Sequence, residues 1–123
     1  MVKHIILWKL MPDLTAEEKA EVKRGIKAGL EGLMGKVPGL LSVKVNVDGR
    51  LDSSNCDVML DCTLESPEAL QAYATHPAHV EVADTKVRPY TVQRVCLDFE
   101  ESKRVISKIR ADMVNQSAFF LCH

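Results

Sequence analysis

The chain has 123 residues with 16 Lys and Arg against 17 Asp and Glu, and a formal net charge of -1 excludes the broad basic surface that nucleic-acid binding requires. Apolar residues make up 46% of it and aromatic residues only 5%, so one domain with an aliphatic core is expected. No run approaches the roughly 20 apolar residues of a membrane span, and Lys9 interrupts the first apolar stretch too early for a signal peptide. The expectation is a cytoplasmic protein with neither nucleic acid nor membrane as a partner.

Residues 2–11, VKHIILWKLM, predict a strand that is apolar on both faces and therefore covered on both sides. Thr15-Ala16-Glu17-Glu18 is a capping box, in which a hydroxyl and a carboxylate each satisfy a free N–H at a helix start. Val22, Ile26, Leu30, Leu33 and Val37 then recur at three- and four-residue spacing, opposite Lys23, Lys27 and Glu31. Gly25, Gly29, Gly32 and Gly35 within this segment fit either a weak exposed helix or close packing on a neighbour, and Pro38-Gly39 ends it. Leu41, Val43, Val45 and Val47 alternate with polar residues, which predicts a half-buried strand before the turn at Asp48-Gly49. In residues 57–64 one face is Val58, Leu60, Cys62 and Leu64 and the other is more polar.

Ser66-Pro67-Glu68 places a cap, a proline and an acid where a helix begins, and a helix over 67–74 follows. Pro77 opens another toward Lys86, Arg88-Pro89 closes it, and residues 90–99 read as a last strand. The order β-α-β-β-α-β predicts an α+β fold, with one four-stranded antiparallel sheet and helices on one face. The strand face carrying His4, Ile6, Trp8 and Leu10 would then need a second sheet over it, and a homodimer packed sheet against sheet supplies one. Residues 101–123 form a separate extension, helical or partly disordered, in which Val105, Ile106, Ile109 and Met113 suggest an amphipathic helix before the apolar end Phe119-Phe120-Leu121. Of the four cysteines, Cys56, Cys62, Cys96 and Cys122, none forms a CxxC pair. Cys56 and Cys62 fit one strand as small buried hydrophobes.

The stretch YATHPAHVEV puts Tyr73, His76 and His79 within seven positions, and a fourth polar residue, His4, stands on the first strand. Each has a structural alternative. His76 is placed either to cap the helix opened by Pro77 or to contact a ligand, while His79 serves as a base or holds a structural hydrogen bond. Tyr73 is a core ring with a polar tip or a catalytic donor, and His4 is a satisfied core histidine or a ligand-facing one. No His, Asp and Glu set with catalytic-metal spacing and no glycine-rich phosphate loop is present.

Val2-Lys3-His4-Ile5, Val37-Pro38-Gly39-Leu40, the strand ending Leu64-Glu65-Ser66 and the motif Tyr73-x-x-His76-Pro77-x-His79 occur in the order of the stress-responsive A/B barrel domain family, which residues 2–99 resemble. The resemblance implies a ferredoxin-like subunit, residues 1–100, that pairs into a homodimeric α+β barrel and binds a small, largely apolar organic molecule inside it. Most members have no assigned reaction, so a ligand-binding or stress-associated protein without turnover is the first expectation. The alternative is an enzyme like one member, olivetolic acid cyclase, which performs an intramolecular aldol closure of a polyketide. Carried over by position, the resemblance makes His79 the catalytic base, Tyr73 the catalytic tyrosine, and His4 and His76 ligand-binding residues. It requires no cofactor for that chemistry, and a cofactor-free oxygenase could use the same cavity. It also implies a divalent cation such as Mg²⁺ on the backbone carbonyls of Met34, Val37 and Leu40. A purely structural dimer would instead have its interior packed solid.

Overall fold

The computed structural model describes residues 1–101. Its strands are β1 (Val2–Leu10), β2 (Leu40–Asn46), β3 (Val58–Leu64) and β4 (Thr91–Glu100), and its helices are α1 (Ala16–Glu31), α2 (Pro67–Thr75) and α3 (Pro77–Val82). The strands form one antiparallel sheet in the order β2-β3-β1-β4, with all three helices on one side. This is the expected ferredoxin-like arrangement. The amphipathic segment and apolar end expected at 105–121, and Cys122, lie outside the described residues.

The capping box forms at the start of α1, where Glu18 N–H donates to the Thr15 hydroxyl at 3.1 Å and Thr15 N–H to the Glu18 carboxylate at 2.9 Å. Those bonds hold the Glu18 carboxyl below its ordinary range. The helix ends sooner than its apolar stripe suggests, at Glu31, and Leu33 and Val37 reach the core from the turns that follow. Of the two readings of the glycines, close packing holds at Gly29, because a Cβ there would stand 2.8 Å from a methyl of Val82 on α3. Lys27 and Glu31 are not simply an outer face. Lys27 Nζ donates to the Val45 carbonyl at 2.8 Å and Val45 N–H donates to the Glu31 carboxylate at 2.9 Å. These side chains occupy backbone groups of β2, an edge strand whose free N–H and C=O would otherwise invite another chain. The bond from Val45 holds the Glu31 carboxyl below its ordinary range.

In β2 the expected alternation starts one residue early. A bulge between Leu40 and Ser42 puts Leu40 in the core and leaves Leu41 exposed, while Val43 and Val45 keep their inward side. The turn before β2 requires positive φ at Gly35 (82°) and Gly39 (83°). At Gly39 space is also missing, since a Cβ would stand 2.7 Å from that of Ala69 on α2.

The expected faces of β1 are reversed. His4, Ile6, Trp8 and Leu10 lie under the helices, whereas Lys3, Ile5, Leu7 and Lys9 look out from the open side of the sheet. Pairing of His4 with Cys62 and of Ile6 with Leu60 puts the apolar face of β3 on the same side, where it meets Ile26 and Leu30 of α1. Alternation within β1 could not reveal this, because both of its faces are apolar. The open side carries Leu7, Val95, Leu97 and Phe99, exposed by 37 to 62%.

Gly39→Ala should cost about 2–4 kcal/mol, combining left-handed strain with a clash, and Gly35→Ala, with open space around it, about 1 kcal/mol. Urea unfolding of both variants measures this, and equal losses would remove the packing argument at Gly39.

Candidate functional site

The site begins with the break between α2 and α3. Pro77 has no N–H to continue α2, and His76 becomes the cap of both helices, its Nδ1 accepting from Ala78 N–H at 3.1 Å. This places Tyr73 in the last turn of α2 and His79 in the first turns of α3, close enough for their rings to pack at 4.3 Å between centroids. His4 reaches the same place from the sheet, its ring set edge-on to Tyr73 at 6.1 Å. The structure therefore brings His4, Tyr73 and His79 together, while His76 caps and does not line the cavity.

After α3 the chain widens into a π turn over 83–87 and tightens into a 3₁₀ turn over 88–90, where a regular helix to Lys86 is expected from sequence. Pro89 cannot extend the ladder, and the Thr91 hydroxyl donates to the Val87 carbonyl at 3.1 Å instead. The irregular turns bring Ala83, Val87 and Arg88 to the wall of a cavity of about 310 Å³ between the helices and the sheet of this one subunit. Ile6, Trp8 and Leu30 form its apolar side, and His4, Tyr73, His79, Arg88 and Arg94 its polar side. The chamber is thus not enclosed between two sheets, as the expected barrel interior would be. A larger groove of about 540 Å³, along Glu18, Glu21, Arg24 and Lys86, contains none of the candidate residues.

The tautomer of His79 follows from its partner. Its Nδ1–H donates to the Ala74 carbonyl at 3.2 Å, which leaves Nε2 with a free lone pair. Burial pushes its pKa below 6.5, opposed by the Ala74 bond and reinforced by the charges of His4, Arg88 and Arg94. The Tyr73 hydroxyl is buried and makes no hydrogen bond among the described residues. The Cys62 thiol beside it lacks hydrogen-bond geometry, and burial holds the tyrosine well above its ordinary range, as a protonated donor. Burial likewise pushes the Cys62 thiol up to about 11, consistent with the small hydrophobe expected there. Cys56 lies just before β3 and is half-buried.

Sequence reading missed the neighbours from β4. His4 Nδ1–H donates to the Asp98 carboxylate in a short contact, and the Cys96 thiol stands 3.8 Å from that nitrogen. Arg94, two residues earlier on the same face, lines the cavity. Residues 94, 96 and 98 share a side by strand alternation, but only the register of β4 on β1 shows that this side faces His4 and Trp8.

The turn carrying Met34, Val37 and Leu40 is joined by Met34 N–H to Glu31 O and by Leu40 N–H to Val37 O, both at 3.3 Å. The Val37 carbonyl thus already accepts one hydrogen bond within the turn.

A ferredoxin-like subunit with a His- and Tyr-lined cavity under its helices defines an α+β barrel protein. Residues 2–101 match the Stress responsive A/B Barrel Domain, and the chain belongs to that family. No curated protein matches the sequence. Among solved structures it is similar to a dimeric protein of unknown function from Bacteroides fragilis, at 29% identity over 81% of this chain and 95% of that one, with a TM-score of 0.76. It is also similar to an Arabidopsis thaliana protein, at 22% identity over 84% and 97% with a TM-score of 0.63. The hydroxynitrile lyase of Passiflora edulis shares the fold at 15% identity over 83% and 94%, with a TM-score of 0.62.

An NMR titration of His79 should give a pKa below 6.5. Because the unfolded chain then binds the proton more tightly, this residue should add stability as pH rises from its folded pKa to about 6.5 and nothing further above it. A folded pKa at or above 6.5 would contradict the burial argument.

Proposed function

We propose that the cavity binds a small, largely apolar molecule bearing a carbonyl group, and that His79 and Tyr73 equip it for proton abstraction next to that carbonyl. The observation that carries this reading is the Tyr73 hydroxyl, buried at the cavity wall without a partner among the described residues. Leaving such a donor unsatisfied costs roughly 1–3 kcal/mol, which a ligand oxygen accepting its hydrogen bond would recover. Beside it, His79 is neutral with Nε2 free, the state a general base needs. A carbon acid between two carbonyls would give its proton to Nε2, and the enolate oxygen would accept the Tyr73 O–H. Attack of that carbanion on a third carbonyl farther along the same molecule would form the new carbon–carbon bond, and the resulting alkoxide would recover the proton from His79. His4, fixed by Asp98, orients the substrate, and Arg88 and Arg94 supply positive charge where the oxygen end lies. The apolar body would rest on Ile6, Trp8 and Leu30. This is a polyketide-cyclase type of aldol chemistry and needs no cofactor.

The subunit is further proposed to work as a homodimer through the open face of its sheet. Leu7, Val95, Leu97 and Phe99 form an apolar surface there that a second sheet would cover, and the Bacteroides fragilis relative is dimeric. Covering that face leaves the cavity, on the opposite side, intact.

Trp8 is the only tryptophan and lines the cavity, so its fluorescence reports occupancy. Short linear β-polyketones should change it on binding, and their cyclisation should fall about 10²–10⁴-fold in His79→Ala and about 10²–10³-fold in Tyr73→Phe. Binding without product would leave a carrier, and absence of binding would end the proposal. Leu97→Lys should convert a dimer to a monomer in sedimentation at micromolar concentration, and a wild-type monomer would refute the interface.

A further inference from the structure

His4, Cys96 and Asp98 form the only cluster of three metal-ligating side chains among the described residues, with their donor atoms all within 4.8 Å of one another. We propose that this cluster is a binding site for a borderline-soft divalent cation of the zinc type, held by one imidazole, one thiolate and one carboxylate with a fourth position open.

The geometry comes from the sheet. Cys96 and Asp98 are alternate residues of β4 and share a face, while Asp98 is the register partner of His4 on β1 and Cys96 that of Ile6. Tetrahedral zinc with bonds of roughly 2.3 Å to sulfur and 2.0 Å to nitrogen or oxygen separates sulfur from its N and O neighbours by about 3.5 Å. The Cys96 sulfur stands 3.8 Å from His4 Nδ1 and 3.4 Å from the Asp98 carboxylate, on either side of that value. The third edge is now closed by the His4–Asp98 hydrogen bond, and rotation of the exposed carboxylate opens it. Charge also fits: a thiolate and a carboxylate neutralise a dication, with Arg94, two residues away on the same face, as the opposing cation. Binding releases the Cys96 proton to solvent, and the imidazole proton passes from Nδ1 to Nε2, so the donor set balances. His4 also lines the cavity, which places the open coordination position next to the ligand chamber.

The site shares His4 and Asp98 with the proposed substrate orientation, but ion binding requires no turnover and is read without that reaction. The test is a titration of the reduced, metal-free full chain with Co²⁺ alone. The expected result is a thiolate-to-cobalt charge-transfer band with tetrahedral d–d bands, saturating at a single ion per chain and displaced by Zn²⁺. Cys96→Ser should abolish the charge-transfer band, and Asp98→Asn should weaken binding about tenfold or more. Cys56→Ser should leave both unchanged, and circular dichroism confirms that each variant is folded. Absence of binding at up to about 100 μM Co²⁺, an affinity too weak for a zinc site, or a thiolate band that survives in Cys96→Ser would overturn the assignment.

Discussion

Strand β1 is paired on both sides, and its register on β3 and β4 fixes the position of every polar group in the site. The ladders set His4 opposite Cys62 on one side and Asp98 on the other. A slip of a single residue would turn Ile6, Trp8 and Leu10 out of the core and take His4 away from Tyr73. The buried apolar face of β1 makes that slip costly, since each large side chain there contributes roughly 1.5–3 kcal/mol by leaving water. Stability and site placement therefore rest on the same packing.

Against that apolar frame, the helical layer is irregular where it meets the cavity. Proline at 77 breaks the second helical region, and proline at 89 ends it through π and 3₁₀ turns. A straight helix from 67 to 87 would have carried Tyr73 and His79 on different faces or at a greater spacing. The break instead stacks their rings, and the widened turn leaves room beneath for a ligand. A buried hydroxyl without a partner among the described residues and a histidine held neutral are features that packing alone would not select, and both occur at this junction.

The two faces of the sheet divide the work. The helix side holds the cavity and the polar cluster from β4, and the open side is a surface of aliphatic and aromatic residues flanked by the Lys3–Asp61 ion pair. The fold is shared with proteins of very different sequence, the Passiflora edulis lyase among them, so chemistry has to be argued from side chains in the cavity and not from the architecture.

The sequence by itself determined the elements. Capping at Thr15 and Ser66, the prolines at 38, 67, 77 and 89, and alternation in 57–64 mark strands and helices because these signals act within a few residues of themselves. The convergence of His4, Tyr73 and His79 was also legible, through the spacing of one short motif and its family resemblance. Tertiary structure decided which face of β1 is buried, because both faces are apolar and only pairing with β3 breaks the tie. It also decided that Leu40 replaces Leu41 in the core, through a bulge that leaves no mark in composition. Last, it placed Asp98, Cys96 and Arg94 beside residues about 90 positions away, since cross-strand register is set by the whole sheet and not by any local stretch of chain.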